Sequence, residues 1–485
     1  MTPPRPLSRP GRLLATLVAA GALALLPATT GDAAATWTVQ RVVLPSGGAS
    51  IPQGYLPTLA CPTTTDCVAA GTYATTSGVI RGLITSETQG HWSSRAIPLP
   101  SNAAGAPGVT PYQVACATAG NCAIVGSYQD TQGDTLPFAA RESGGVWSAA
   151  ALSLPADALG AGQNGQARAV ACPTAATCVV VGTYLSAAAN APAEAFVETS
   201  TASGWSAAQT VTLPAGAAGM PGAMVNQIAC TGAGTCLASG VYLDQDNVQH
   251  VFTVTETGGR WATATTLTPP ANASLYAHVT VGGVACVASA CTVIGTYLDH
   301  AGHVEPFAAT EAGGTWSPAV ELALPAGAAA NPRTLDYGYV GLACPAVGSC
   351  VTGGQYVDAR GRYQGFLVSQ AGGTWGRAVT MPLPAGATSA GHNGGVVAFT
   401  CIRAGECRAG AAYLDAQGHY QAMVVSLTQG AWRTGTPLTL PGGAGTVGVD
   451  GGVYALVCRS NGVCTAAGSY QSSATAYQGF IATGS

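Results

Sequence analysis

Thr36-Trp37-Thr38-Val39-Gln40-Arg41-Val42-Val43-Leu44-Pro45 reads as one β-strand with a Leu-Pro stop, and it stands ahead of the first of eight repeats. A tryptophan strand of this kind recurs seven times, at Trp92, Trp147, Trp205, Trp261, Trp316, Trp375 and Trp432, each 30 to 33 residues after a cysteine. The cysteines fall into eight close pairs whose first members lie 55 to 58 residues apart. Cys61 goes with Cys67, Cys116 with Cys122, Cys172 with Cys178, and Cys230 with Cys236. Cys286 goes with Cys291, Cys344 with Cys350, Cys401 with Cys407, and Cys458 with Cys464. Six residues after each second cysteine comes a tyrosine (Tyr73, Tyr128, Tyr184, Tyr242, Tyr297, Tyr356, Tyr413, Tyr470), and a large apolar residue such as Phe138, Phe252 or Phe480 follows. The eighth repeat runs from Cys458 through Phe480 and stops at Ser485 before any tryptophan strand.

Each repeat reads as four strands. The first places a bulky apolar residue two before the cysteine, with alanine between them in six copies, and this large–small alternation has the period of a strand. The second runs Cys-Val-x-x-Gly-x-Tyr, as in Cys178–Tyr184, with cysteine, glycine and tyrosine on one face. The glycine is expected to let a neighbouring sheet approach closely. A third strand carries the Phe, and a Gly-Gly turn leads to a continuous tryptophan strand such as Thr374–Met381. No helical period appears outside the first 35 residues.

The strand missing from the eighth repeat is therefore the one at Thr36–Pro45. A linear stack, the alternative being an open β-solenoid, has no use for that permutation. A closed ring does, because the N-terminal strand completes the last four-stranded sheet and leaves no open seam. The sequence predicts an all-β chain: an eight-bladed β-propeller over 36–485, with four-stranded antiparallel blades, each packing only on its two neighbours.

Residues 1–35 read as a secretory signal peptide. Arg5, Arg9 and Arg12 precede the uncharged apolar stretch Leu13–Leu26, and Ala33-Ala34-Ala35 offers a cleavage site. That stretch is shorter than the roughly 20 residues a membrane span needs. Only 8% of the chain is charged, and its 17 basic residues are all arginine. Removing Arg5, Arg9, Arg12 and Asp32 leaves 14 arginines against 20 acids, a net charge of −6 that argues against nucleic acid and anionic membranes. The expectation is a secreted, extracellular monomer with no membrane insertion.

In an oxidising compartment, eight isolated C-x5-C or C-x4-C pairs read as local disulfides rather than zinc sites, which need four ligands gathered together. Each bridge closes the first hairpin of its blade, with Cα separations expected near 5–6 Å and a stabilisation of about 2 kcal/mol on a chain-entropy model.

The Gly-Gly-Thr-Trp turns, as at Gly313–Trp316 and Gly372–Trp375, resemble the Asp boxes (BNR-type repeats, Ser-x-Asp-x-Gly-x-Thr-Trp) of sialidase-like propellers. The acidic position is Glu87, Glu142, Glu256 and Glu311 here, but Ser200, Gln370 and Leu427 elsewhere, so the boxes are degenerate. The whole repeat is also similar to secreted bacterial proteins built of serial Cys-Tyr-Trp propeller units. A sialidase's arginine clamp would need three arginines facing the channel. Only Arg168 sits just ahead of an innermost strand, and Arg333 is further out in its loop.

No catalytic residues, no cofactor and no metal are expected. His300-Ala-Gly-His303 with Glu305 is the nearest approach to a ligand set and reads as a polar hairpin tip. The Tyr-x-Asp sites at Asp130, Asp244, Asp299, Asp358 and Asp415 read as turn caps, although Asp244 and Asp246 have the spacing of calcium ligands. The disulfide face is expected to be short and monotonous, and the opposite loop face to carry recognition. Six of the seven histidines lie beyond residue 249, so the binding candidates come from the later blades: His300, His303, Tyr337, Tyr339, Arg360, Arg362, Tyr363, His419, Tyr420 and Tyr454. Tyrosines among scattered hydrogen-bonding groups suit an extracellular glycan or a protein surface. The expected function is non-catalytic binding. The alternative is a polysaccharide-acting glycoside hydrolase or lyase.

Overall fold

In the computed structural model, which describes residues 36–50, 53–160, 162, 164–201, 204–274, 279–329, 341–388, 395–441, 451–473 and 476–485, every repeat forms its own antiparallel sheet. In blade 1 the strands are Tyr55–Ala60, Asp66–Ala74, Ile80–Thr88 and His91–Ala96, paired in chain order. Blade 8 takes Gly452–Cys458, Cys464–Ser473 and Ala476–Gly484 from the end of the chain and Trp37–Arg41 from its beginning. Trp37 pairs with Gly484 and Arg41 with Phe480, so the ring closes through the N-terminal strand. The first strands touch one another in sequence around the ring, and that of blade 8 touches that of blade 1. The chain is an eight-bladed β-propeller. None of the described residues forms a helix, and no helix is long and apolar enough to cross a membrane.

The core lies between blades. One buried cluster joins Val179, Val181 and Val197 of blade 3 to Val225, Phe252 and Val254 of blade 4. The closing seam is packed in the same way, with Ala455, Ala467 and Ile481 of blade 8 against Leu56, Ala69 and Leu83 of blade 1. In blades 2 to 6 the tyrosine of the second strand meets the Phe of the third nearly edge-on, as in Tyr128–Phe138 at 6.1 Å.

The recurring glycine of the second strand faces the first strand of its own blade, not a neighbouring sheet: a Cβ on Gly182 would lie 2.2 Å from the Gln166 carbonyl oxygen, and one on Gly240 2.0 Å from that of Met224. The cause is a β-bulge beside it, where the register shifts between Ala167 and Ala169 and between Val225 and Gln227. Where blade 7 carries Ala411 at this position, its third-strand partner is Met423 instead of Phe.

The tryptophan strand is continuous only in blades 1, 2 and 8. In blades 3 to 7 it breaks into two-residue pieces, such as Thr374–Trp375 and Val379–Thr380. Trp375 pairs with Gln370 and Val379 with Leu367, so four steps on one strand oppose three on the other and one residue bulges out.

All eight disulfides form within their own repeats, but their Cα separations are 3.9–4.1 Å rather than 5–6 Å. Cys61 with Cys67, Cys116 with Cys122, Cys172 with Cys178 and Cys230 with Cys236 are each 4.0 Å apart. Cys286 with Cys291 and Cys344 with Cys350 are at 4.1 Å, and Cys401 with Cys407 and Cys458 with Cys464 at 3.9 Å. The reason is the ladder itself. Cys116 sits directly opposite Cys122, Cys230 opposite Cys236, Cys286 opposite Cys291, Cys401 opposite Cys407 and Cys458 opposite Cys464, where antiparallel strands hold Cα atoms close. The second cysteine of the pair is the one sunk in the core. Cys67, Cys122, Cys178, Cys236, Cys350, Cys407 and Cys464 are all buried, and Cys291, whose loop is one residue shorter, is half-buried.

Candidate functional site

In blades 2, 4, 5, 6 and 7 the turn between second and third strands is built on an aspartate two residues after the second-strand tyrosine. Asp358 Oδ1 accepts the N–H groups of Arg360 and Arg362 at 2.8 and 3.0 Å; Asp299 serves Ala301 and His303, and Asp415 serves Gln417 and His419, in the same way. These are the turn caps the sequence predicts. Asp244 is one of them: its Oδ1 accepts from Asp246 and Val248, and its Oδ2 faces His250 Nε2 at 2.8 Å. The hydrogen bond from His250, with the turn amides, holds the Asp244 carboxyl below the usual carboxylate range.

His303, Arg362 and His419 occupy one position in three successive blades, four residues after the aspartate. Each turns back to it: His303 Nδ1 lies 3.2 Å from Asp299, Arg362 Nη2 2.7 Å from Asp358, and His419 Nδ1 3.7 Å from Asp415. Partial burial raises the Asp358 carboxyl, but the Arg362 guanidinium and two amides outweigh it and leave its pKa lowered. Tyr337 and Tyr339 lie outside the described residues.

Beside the blade 6 turn, a cleft of ≈ 390 Å³ opens between Gly327 and the side chains of Asp358, Arg360, Arg362, Gln364 and Thr380. Arg360 is exposed at its rim. The disulfide side, expected from sequence to be short and monotonous, carries a cleft of ≈ 580 Å³ between blades 4 and 5, lined by Thr231, Thr253, Thr263, Thr265 and Trp316. The threonine run over 253–268 was its only signal in the sequence.

Tyr454 belongs to a different arrangement. It is the bulged residue of its first strand, the same position as Tyr112, Arg168 and Asn226 in blades 2, 3 and 4. At this position side chains reach across to the next blade. Tyr454 meets Tyr55 at 4.9 Å between centroids, the Arg168 guanidinium lies 4.8 Å over the Tyr112 ring, and Tyr112 donates to Gln166 at 3.1 Å. Tyrosines therefore line the innermost strands of blades 8, 1 and 2, joined by Arg168 of blade 3, on different elements from the turns of blades 5 to 7 where most sequence candidates lie.

Two carboxyls are displaced far from their usual behaviour. Burial pushes Glu198 up to about 7, against donation from Ser153 of blade 2. Burial, then the neighbouring Glu321 and Asp299 charges, push Glu305 up to about 7. Both folded values exceed the ordinary 4.5, so the associated stability is present below pH 4.5 and lost as pH rises through 7. The 2% exposed Glu198 alone accounts for about 3 kcal/mol of that loss. Thermal melts should show a lower Tm at pH 7.5 than at pH 4.5, by about 3 °C from this one group, and Glu198→Gln should flatten the dependence. A Tm that rises across this interval would contradict the assignment.

No family model and no curated protein sequence matches the chain. Among solved structures it is similar to a puromycin-hydrolysing peptidase of Mycobacterium tuberculosis (13% identity, 87% of this chain and 59% of that one, TM-score 0.46). It is also similar to an ulvan lyase of a polysaccharide lyase family (11%, 79% and 92%, 0.44) and to a sialidase of Trypanosoma rangeli (10%, 92% and 59%, 0.39). At these values the likenesses bear on neither substrate nor chemistry.

Proposed function

We propose that the protein is exported, with residues 1–35 as its signal peptide, and that it binds an extracellular glycan, without turning it over, through the face opposite its disulfides. The observation that carries this reading is the blade 6 cleft. Its volume of ≈ 390 Å³ falls in the range of small-molecule sites, and it sets two guanidinium groups, an amide and a hydroxyl around one opening. Such groups match the hydroxyls of a sugar, and Arg360 at the rim is placed to give a charge-assisted hydrogen bond. Asp358 supports a non-catalytic role, since its oxygens are committed to two turn amides and to Arg362. Eight disulfides, with no free cysteine among the described residues, fit an oxidising destination.

The alternative, a hydrolase or lyase, draws on Glu305, whose displaced pKa suits proton transfer near neutral pH. That residue stands on the third strand of blade 5, two strands out from the channel. Screening the purified mature chain on a glycan array, with turnover assayed on every glycan it retains, tests the proposal. Retention without cleavage is expected. Cleavage of a retained glycan would move the assignment to the alternative.

A further inference from the structure

The repeats are an internal comparison, and blade 5 departs from its siblings at one place. Six residues after the turn aspartate, blades 4, 6 and 7 carry a nitrogen-bearing side chain that faces the second oxygen of that aspartate. His250 Nε2 lies 2.8 Å from Asp244 Oδ2, Gln364 Nε2 3.4 Å from Asp358 Oδ2, and Gln421 Nε2 3.0 Å from Asp415 Oδ2. Blade 5 has Glu305 there, an acceptor in place of a donor. Asp299, His303 and Glu305 each bring one ligand atom within 4.8 Å of the others. Asp299 Oδ1 is spent on the turn amides of Ala301 and His303, which leaves Oδ2 directed at the imidazole, 3.2 Å from Nδ1.

That oxygen–nitrogen distance is close to the edge of a tetrahedron with metal–ligand bonds of about 2.0–2.1 Å. We propose that Asp299, His303 and Glu305 form a binding site for a divalent transition-metal ion of the zinc class. The three ligand atoms gather where blades 4, 6 and 7 set a nitrogen donor against the aspartate, and a bound cation would offset the two carboxylates that blade 5 places there. The nitrogen ligand and the count of three favour a transition ion over calcium or magnesium, which take oxygen cages or keep their water. Glu321 stands behind the site, its Oε2 accepting from Tyr297 and Asn272 at 2.9 Å each, and adds negative potential. The sequence alone reads the stretch as a hairpin tip because Asp299 is brought onto it only by the cap of its own turn.

The test is titration of the untagged mature chain with Co²⁺ alone, read by its visible ligand-field absorption, followed by displacement with Zn²⁺ in a calorimeter. One Co²⁺ per chain is expected. Glu305→Gln copies the arrangement of blades 6 and 7, so it should melt no lower than wild type in EDTA while its Co²⁺ affinity falls at least 100-fold. His303→Ala should lose the absorption as well. Zn²⁺ should raise the Tm of wild type and leave that of Glu305→Gln unchanged. No Co²⁺ absorption from wild type, or equal binding by Glu305→Gln, would overturn the proposal.

Discussion

A chain that begins at residue 46 will aggregate, where the chain that begins at residue 36 elutes as one species. Removing Thr36–Pro45 strips the fourth strand from blade 8 and leaves Ala476–Gly484 as a bare edge. That strand is nine residues long, with Phe480, Ile481 and Ala482 almost fully buried in the closed ring. A long apolar edge with unpaired backbone groups is a template for pairing with another chain. The tryptophan at its far end is also lost, although Gly484 is shaped around it: a Cβ there would lie 2.5 Å from the Trp37 ring. Light scattering on the two chains, refolded side by side, reads the effect. A truncated chain that stays dispersed and melts with the full one would show that the ring does not depend on this strand.

The second large effect is expected at the same seam. Arg459, on the first hairpin of blade 8, is 6% exposed and reaches into blade 1. Its Nη2 lies 2.8 Å from Glu87 Oε2, and its Nη1 donates to the Thr64 carbonyl at 2.8 Å. Arg459→Ala leaves the 8% exposed Glu87 carboxylate without its countercharge and should cost about 3–5 kcal/mol. Replacing both residues by apolar ones should cost far less than Arg459→Ala alone, since the penalty belongs to the stranded charge. Chemical denaturation of the single and double variants measures this. If the double variant were as unstable as the sum of the two single ones, Glu87 and Arg459 would be acting separately.

The closure was legible because a displaced Trp37 strand can be recognised by its repeats, and the disulfides because each cysteine has one mate five or six residues away. The broken fourth strand was legible too: the step from tryptophan to the proline that ends the strand is eight for Trp37, Trp92 and Trp147 (Pro45, Pro100, Pro155) but nine for Trp205, Trp261, Trp316, Trp375 and Trp432 (Pro214, Pro270, Pro325, Pro384, Pro441). That one extra residue is the bulge. The position of the second-strand glycines could not be read, since a glycine says that something comes close without saying what. The candidate site was the least legible part. His303, Arg362 and His419 stand out as isolated polar residues in a poorly charged chain, yet each is turned back on its own aspartate. Tyr454 and Tyr55 lie almost 400 positions apart in sequence and meet only because the ring closes.

The degenerate boxes carry a physical record of their own. Glu142 accepts from Trp147, whereas the indole nitrogens of Trp375 and Trp432, whose strand partners are Gln370 and Leu427, have no hydrogen-bond partner. The strand pairing of the tryptophan persists without the acid, so the acid is not what holds this turn in the blade.

Which face binds is decided by comparing three chains. Affinity for the strongest array glycan should be measured for wild type, Arg360→Ala on the blade 6 cleft, and Thr263→Arg, which fills the threonine cleft on the disulfide side. Loss of one charge-assisted hydrogen bond should weaken Arg360→Ala by about 10-fold or more, with Thr263→Arg unchanged. Unaltered binding by Arg360→Ala together with loss in Thr263→Arg would place the ligand on the opposite face and contradict the account.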